Sequence, residues 1–225
     1  MKIVNLTTLF FLYCLSFSVF AEDQFCSDDA CKKMEKQYYK KEYEKIISAV
    51  NPSEQYSEGS VFYLGMSYTN LADKAATLEA KDKLYRQAIA FKYFPAYMSL
   101  HNLYSESNPK VAMEFVRAYA KTNPDDPAPF LTLGEVAFQQ GNYKGANKLL
   151  IRAKSLSSGH TAGLDWLLFK TNYILGNYRF AKEVFESALA QSRFEEEIRE
   201  LKSDPRFAGI EDHIEFNGYK KLLGK

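Results

Sequence analysis

The chain says one phrase twice. Residues 131–153 read LTLGEVAFQQGNYKGANKLLIRA, and residues 167–188 read LLFKTNYILGNYRFAKEVFESA. Set 35 positions apart, Leu133 meets Leu168, Gly141 meets Gly176 and Asn142-Tyr143 meets Asn177-Tyr178; Ala146 then meets Ala181, and Ala153 meets Ala188. Self-similarity at this period confines a chain to stacked supersecondary units. One such unit cannot bury its apolar face alone, so each must pack on its neighbours.

The units are helical. Apolar residues recur at three and four, as in Leu149, Leu150, Ala153 and Leu156, and in Ala181, Val184, Phe185 and Ala188. Strand-like alternation is missing over any useful length. Turn signals fall between the helical stretches, at Asn51-Pro52, Asn108-Pro109, Asn123 to Pro127, Ser158-Gly159 and Asp204-Pro205. Asn108-Pro109 and Asp204-Pro205 set a capping side chain before a proline at the first helical position, so they start helices as well as end loops. The expected fold is all-α, a solenoid of antiparallel helix pairs.

The pattern resembles the tetratricopeptide repeat family. In residues 127–160 it is carried by Phe130, Leu133-Gly134, Phe138, Gly141-x-Tyr143, Ala146, Leu150 and Ala153. In 162–192 it is carried by Leu168, Tyr173, Gly176-x-Tyr178, Ala181, Phe185 and Ala188, with Phe169 where the family prefers glycine. Two looser units precede these. One has Leu64-Gly65, Tyr68, Ala80, Leu84-Tyr85 and Ala88, with an insertion around Asn70–Thr77; the next has Tyr97, Leu100, Tyr104, Ala112 and Val116. Anchor leucines 64, 100, 133 and 168 are thus spaced 36, 33 and 35, and the first interval is similar to the slightly longer Sel1-like variant. His101 takes the place of a small residue, so that pair is expected to splay. KQYYKKEYEKIISAV (36–50) looks like a degenerate first unit, and LKSDPRFAGI (201–210) like the terminal segment that follows such repeats.

The resemblance implies a right-handed superhelical solenoid of about four to five units. The expected organisation is a signal peptide at 1–21, N-terminal helices with a degenerate first repeat at 22–57, repeats at 58–192 and C-terminal capping helices at 193–225. Gly134 and Ala146 are small enough to let two helices approach, Gly141 permits the tight turn between them, and Ala153 leaves space for the next unit.

The start of the chain reads as an export signal. Lys2 precedes an apolar run from Leu6 to Phe20 that ends in Val19-Phe20-Ala21, followed by acidic Glu22-Asp23. Asn5, Thr7, Thr8 and the serines weaken the rival reading of a retained membrane span. Neither Cys14 nor Cys26 has the small preceding residue of a bacterial lipidation site. A periplasmic or secreted protein is expected, with no stable membrane insertion after cleavage. In an oxidising compartment the two remaining cysteines, Cys26 and Cys31, are expected to pair and to pin the start of the first helix, where Ser27 and Asp28 are good N-caps. So short a loop yields at most about 2 kcal/mol in the chain-entropy account.

Charge excludes some partners. The whole chain has 29 Lys and Arg against 28 Asp and Glu, and Lys2 is the one charge in 1–21, so the mature chain is formally neutral. No long-range field favours nucleic acid, which is not expected as a partner. The Lys-rich stretch from Lys32 to Lys45 is broken by Glu35, Glu42 and Glu44 and reads as a solvated helix face.

No set of residues asks for chemistry. His101, His160 and His213 are scattered, and none lies in a metal-ligand spacing. Ser157-Ser158-Gly159-His160 falls where an inter-repeat turn belongs, and Glu195-Glu196-Glu197 reads as a solvated acidic helix. Neither an enzyme activity, a metal nor a cofactor is expected. The resemblance places function on a concave groove lined by the first helix of each unit, taking a protein or peptide. Its positions carry over to Phe62, Met66, Asn70, Met98, Asn102, Leu131, Glu135, Phe138, Gln139, Trp166, Lys170 and Tyr173. Few are charged, so an apolar or aromatic peptide is expected there, with Trp166 and Tyr173 exposed as anchors. The expected function is an exported adaptor in envelope assembly or secretion. The alternative is an accessory module of an envelope enzyme, or a divergent hydrolase with a site of unfamiliar residues.

The export reading predicts a mature N-terminus at Glu22. Intact mass or N-terminal sequencing of the protein from expressing cells checks it; Met1 retained on a membrane-bound form overturns it.

Overall fold

A computed structural model describes residues 25–26, 28–51, 54–158, 162–191 and 194–223. The expected signal peptide, Ser27, Pro52 and the Gly159-His160 turn lie outside the described residues. Among those described, every regular segment is helical. Five pairs follow one another: α1 (Asp29–Tyr39) with α2 (Tyr43–Ser48), α3 (Glu58–Lys74) with α4 (Leu78–Ala90), α5 (Ala96–Tyr104) with α6 (Pro109–Thr122), α7 (Pro127–Gln139) with α8 (Tyr143–Leu156), and α9 (Ala162–Ile174) with α10 (Tyr178–Gln191). The chain divides into two compact units, one ending at Phe115 and the other beginning at Val116, so the boundary falls inside α6.

One backbone device closes three of these pairs. Gly141 and Gly176 sit at φ 76° and 78°, and Lys41 occupies the same place at φ 60°. At each, two N–H groups turn back onto the last carbonyls of the first helix. Gly141 N donates to Phe138 O (3.0 Å) and Asn142 N to Ala137 O (2.9 Å); Gly176 N and Asn177 N repeat this on Tyr173 O and Asn172 O, and Lys41 N and Glu42 N on Tyr38 O and Gln37 O. This is the left-handed helix stop that glycine fills without strain. Lys92, at φ 63°, ends α4 the same way, with Lys92 N on Ile89 O and Tyr93 N on Ala88 O. The degenerate first repeat therefore keeps the turn geometry while lacking its glycine. Asn142 then caps α8 by accepting from Gly145 N at 3.1 Å.

In the first unit the core gathers Cys31, Met34, Ile46, Tyr63, Leu64, Ala72, Tyr85, Ala88 and Leu100. Cys26 and Cys31 are joined by a disulfide with Cα atoms 5.2 Å apart, and both are buried. Asp28 caps α1, accepting from Cys31 N at 2.7 Å. Gly59, in the first turn of α3, lies hard against this bridge: a Cβ there would come within 2.6 Å of Cys31 Sγ and 2.5 Å of Phe25 O. The disulfide thus fixes α1 and supplies a wall for α3. The insertion at 70–77 lengthens α3 to 17 residues against 13 in α7 and α9, and Thr77 caps α4. His101 stands between α5 and the first turns of α6, its Nδ1 3.3 Å from Ala112 O, which sets the spacing there. Burial pushes its pKa down.

The second unit shows what the repeat's small residue does and what happens without it. A Cβ on Gly134 would come within 2.7 Å of Leu150 Cδ2, so α7 and α8 approach through that glycine, with Leu150 rather than Ala146 as the nearest neighbour. At the matching place in the last pair, Phe169 faces Phe185 with ring centres 5.0 Å apart. Both rings are fully buried because the tail covers them: Phe207 and Phe216 lie 6.0 and 5.9 Å from Phe169. The expected capping helices of 193–225 are only partly helical. α11 (Glu195–Ser203) is followed by three 3-10 segments, Pro205–Phe207, Ile210–Asp212 and Ile214–Tyr219, and one short turn, α12 (Lys220–Leu223). Pro205 and the left-handed Gly209 (φ 81°) prevent a continuous helix.

Two substitutions separate these devices. Gly134→Leu is expected to destabilise by ~1–3 kcal/mol through overpacking against Leu150. Lys41→Gly is expected to stabilise by up to about 1 kcal/mol by relieving a left-handed lysine. Chemical denaturation of both variants checks the opposite signs.

Candidate functional site

In the second unit the chain's own tail contacts three of the first-helix positions expected to line a groove, Phe138, Lys170 and Tyr173. Trp166 is 3% exposed. Its indole packs edge-on against Phe169 at 5.8 Å and Phe185 at 5.5 Å, and its Nε1 is buried without a hydrogen-bond partner among the described residues. Trp166 is a core residue, not an exposed anchor. Its neighbours account for this. Leu164, Asp165, Leu168, Phe169, Thr171 and Asn172 are buried around the same helix, so α9 is enclosed on nearly every side. The buried Asp165 is held by Lys154 Nζ at 2.9 Å and by Ser187 Oγ at 2.9 Å.

Phe138 is buried as well. The Arg206 guanidinium covers its ring at 4.9 Å and reaches Tyr143 OH at 3.4 Å, while three hydrogen bonds to Asp204 hold that arginine in place. Tyr173 is half-buried between Phe207 (5.3 Å) and Phe216 (5.8 Å). Lys170 is committed to Glu200 of α11 at 2.9 Å. Leu131 packs against the core cluster of the second unit. Glu135 is half-buried; burial raises its pKa and Lys170 partly opposes the shift. Gln139 remains exposed, 3.4 Å from Glu135. In the first unit Met98 is buried and Asn102 is exposed. Met98, Phe138 and Trp166 are therefore unavailable to a ligand, and Lys170 and Tyr173 already have partners within the chain.

Two other features of the surface remain. On the second unit an open cleft of about 710 Å³ runs beside Asn147, Ile151, Asn172, Asn177 and Phe180. Its amides bond to one another, Asn172 Nδ2 to Asn147 Oδ1 at 2.9 Å and Asn177 Nδ2 to Asn172 Oδ1 at 3.0 Å. Those bonds use up much of the polarity that the floor could offer a ligand. On the first unit, Phe25, Tyr39 and Phe62 are 46%, 73% and 37% exposed. All three rings rest on buried Tyr63, at 6.1, 6.5 and 5.4 Å. Tyr63 is fixed in turn by its hydroxyl, which donates to Glu35 at 2.7 Å. Of these, only Phe62 was legible as a surface residue from the repeat register. Tyr39 had a signal too, as an aromatic set among lysines on a helix whose apolar residues lie elsewhere.

The residues singled out for chemistry stay apart. His213 packs at a tilt on Tyr178, with ring centres 3.9 Å apart, and accepts from Glu215 N, and Ser157 Oγ donates to Ala153 O at 2.8 Å at the end of α8. His160 lies outside the described residues. Glu195, Glu196 and Glu197 begin α11, at the helix end where negative charge is favoured. No group of three or more His, Cys, Asp or Glu that could hold a metal occurs among the described residues, nor does any helix there long and apolar enough to cross a membrane.

Trp166→Ala is expected to cost ~3–5 kcal/mol, as for a large aromatic removed from a core. A thermal melt within a degree or two of the parent would return the indole to the surface.

No protein-family model matches the chain, and no curated protein sequence matches it. Among solved structures it is similar to PilF of Pseudomonas aeruginosa, with a TM-score of 0.54 at 16% identity over 86% of this chain and 88% of that one. MamA AMB-1 is a looser likeness, with a TM-score of 0.43 at 14% identity over 72% and 96%. The shared architecture with PilF and the recurring left-handed turns make this a fold of the tetratricopeptide-repeat type.

Proposed function

We propose that this chain is a non-catalytic scaffold that binds a partner protein and acts outside the cytoplasm, in envelope assembly or secretion. One observation carries the binding reading: three large aromatic side chains, Phe25, Tyr39 and Phe62, stand exposed together on a buried tyrosine. Scattered exposed apolar residues are ordinary, but a contiguous aromatic cluster marks a contact surface. End units of repeat arrays keep polar outer faces for solubility, and this cluster is built from the segment before α1, from α1 and from α3. The charged start, apolar run and Ala21 of the leader, together with the Cys26–Cys31 bridge, support an oxidising compartment. A partner site on the first unit replaces the expected site around Trp166.

A photoreactive amino acid at position 62 tests this. In envelope extracts of expressing cells it is expected to capture a discrete protein, identified by mass spectrometry, while the same probe at exposed Lys148 does not. Equal labelling from both positions, or none from position 62, would falsify the scaffold reading.

A further inference from the structure

We propose that the Phe25–Tyr39–Phe62 face docks an acidic segment of a partner protein, one in which carboxylates alternate with leucine or aromatic residues. The inference rests on the scaffold reading and adds the chemistry of the partner. α1 and the turn after it carry Lys32, Lys33, Lys36, Lys40 and Lys41, all exposed. At 100° per residue, Lys32, Lys36 and Tyr39 fall within an arc of about 60°, so two of the lysines flank the most exposed ring of the cluster. None of the five makes an ion pair among the described residues.

The nearby carboxylates are largely committed. Asp28 caps α1 and its hydrogen bond with Ser57 holds its pKa down. Glu35 accepts from Tyr63, and Glu42 pairs with Lys45 at 2.9 Å. Asp29, Glu44 and Glu58 are exposed at the starts of α1, α2 and α3, and they are outnumbered by the five lysines. The chain as a whole is close to neutral, so this excess is local. An aromatic centre with a basic rim is complementary to an acidic segment bearing apolar side chains.

An anionic membrane surface shares the charge preference but fits less well. A helix that lies in a bilayer interface buries its own apolar face there. Cys31 and Met34 of α1 are already in the protein core, which leaves Tyr39 as the large exposed apolar side chain of that helix. Glu58, one turn before Phe62 on α3, would also meet the anionic headgroups.

The test uses the chain as cells process it and a fluorescent peptide in which glutamate alternates with leucine and phenylalanine. Anisotropy is expected to show binding that weakens about tenfold or more in the Lys36→Glu/Lys40→Glu variant and on raising the salt. Tyr39→Ala, at a position too exposed to threaten the fold, should weaken it as well. A peptide with lysine in place of glutamate should not bind. Equal affinity for both peptides, or no binding of the acidic one, overturns the proposal. So does flotation with phosphatidylglycerol vesicles that is lost in the same lysine variant. If the position-62 probe captures a partner through a basic or neutral segment, the scaffold reading stands and the acidic partner falls.

Discussion

Three of the five helix pairs depend on a turn so short that one residue must leave the right-handed region. Gly141, Gly176 and Lys41 hold that place, and each time the N–H of that residue and of the next one donate to the equivalent carbonyls of the first helix. The stop ends the first helix and aims the second back along it. Packing then only has to fill the space between two helices already side by side. Between α7 and α8, Gly134 admits Leu150. The strain of a left-handed lysine at Lys41 and Lys92 is tolerated because those carbonyls still find their donors.

The last pair departs from this scheme, and the departure explains the fate of the expected groove. Phe169 stands where Gly134 stands one repeat earlier, and its ring packs on Phe185 of the paired helix and on Phe207 and Phe216 of the tail. Phe207, Ile210, Phe216 and Leu223 close over it as a core rather than as a polar cap. Arg206 extends the closure back to Phe138 and Tyr143. The tail that stabilises the end of the array thereby occupies the surface on which a ligand was expected. Trp166 is buried within the helix pair itself, against Phe169 and Phe185.

The first unit is stabilised differently. Its opening pair is short, with six residues in α2, and a disulfide fixes the start of α1. Tyr63 links this pair to α3 through Glu35 and through the rings around it. A buried tyrosine held at its hydroxyl is a rigid platform, and the aromatic rings above it lose little further freedom when a partner arrives.

The sequence by itself determined the helix pairs, their turns and the pairing of Cys26 with Cys31. These are local properties: a period of three and four, a residue suited to the left-handed region, and two cysteines five positions apart. The register of Leu133 and Leu168 likewise identified which helix faces meet, because neighbouring repeats impose the same contacts. Only the tertiary structure decided what is exposed. Phe138 and Tyr173 hold groove positions in the repeat register, yet the 3-10 residues that cover them, Arg206, Phe207 and Phe216, lie 34 to 68 residues further along the chain and carry no period of their own. Phe25, Tyr39 and Phe62 come from three separate segments, and they become one surface because Tyr63 lies beneath all of them. Burial depends on every neighbour at once, whereas a repeat reports only the neighbours it shares with its copies.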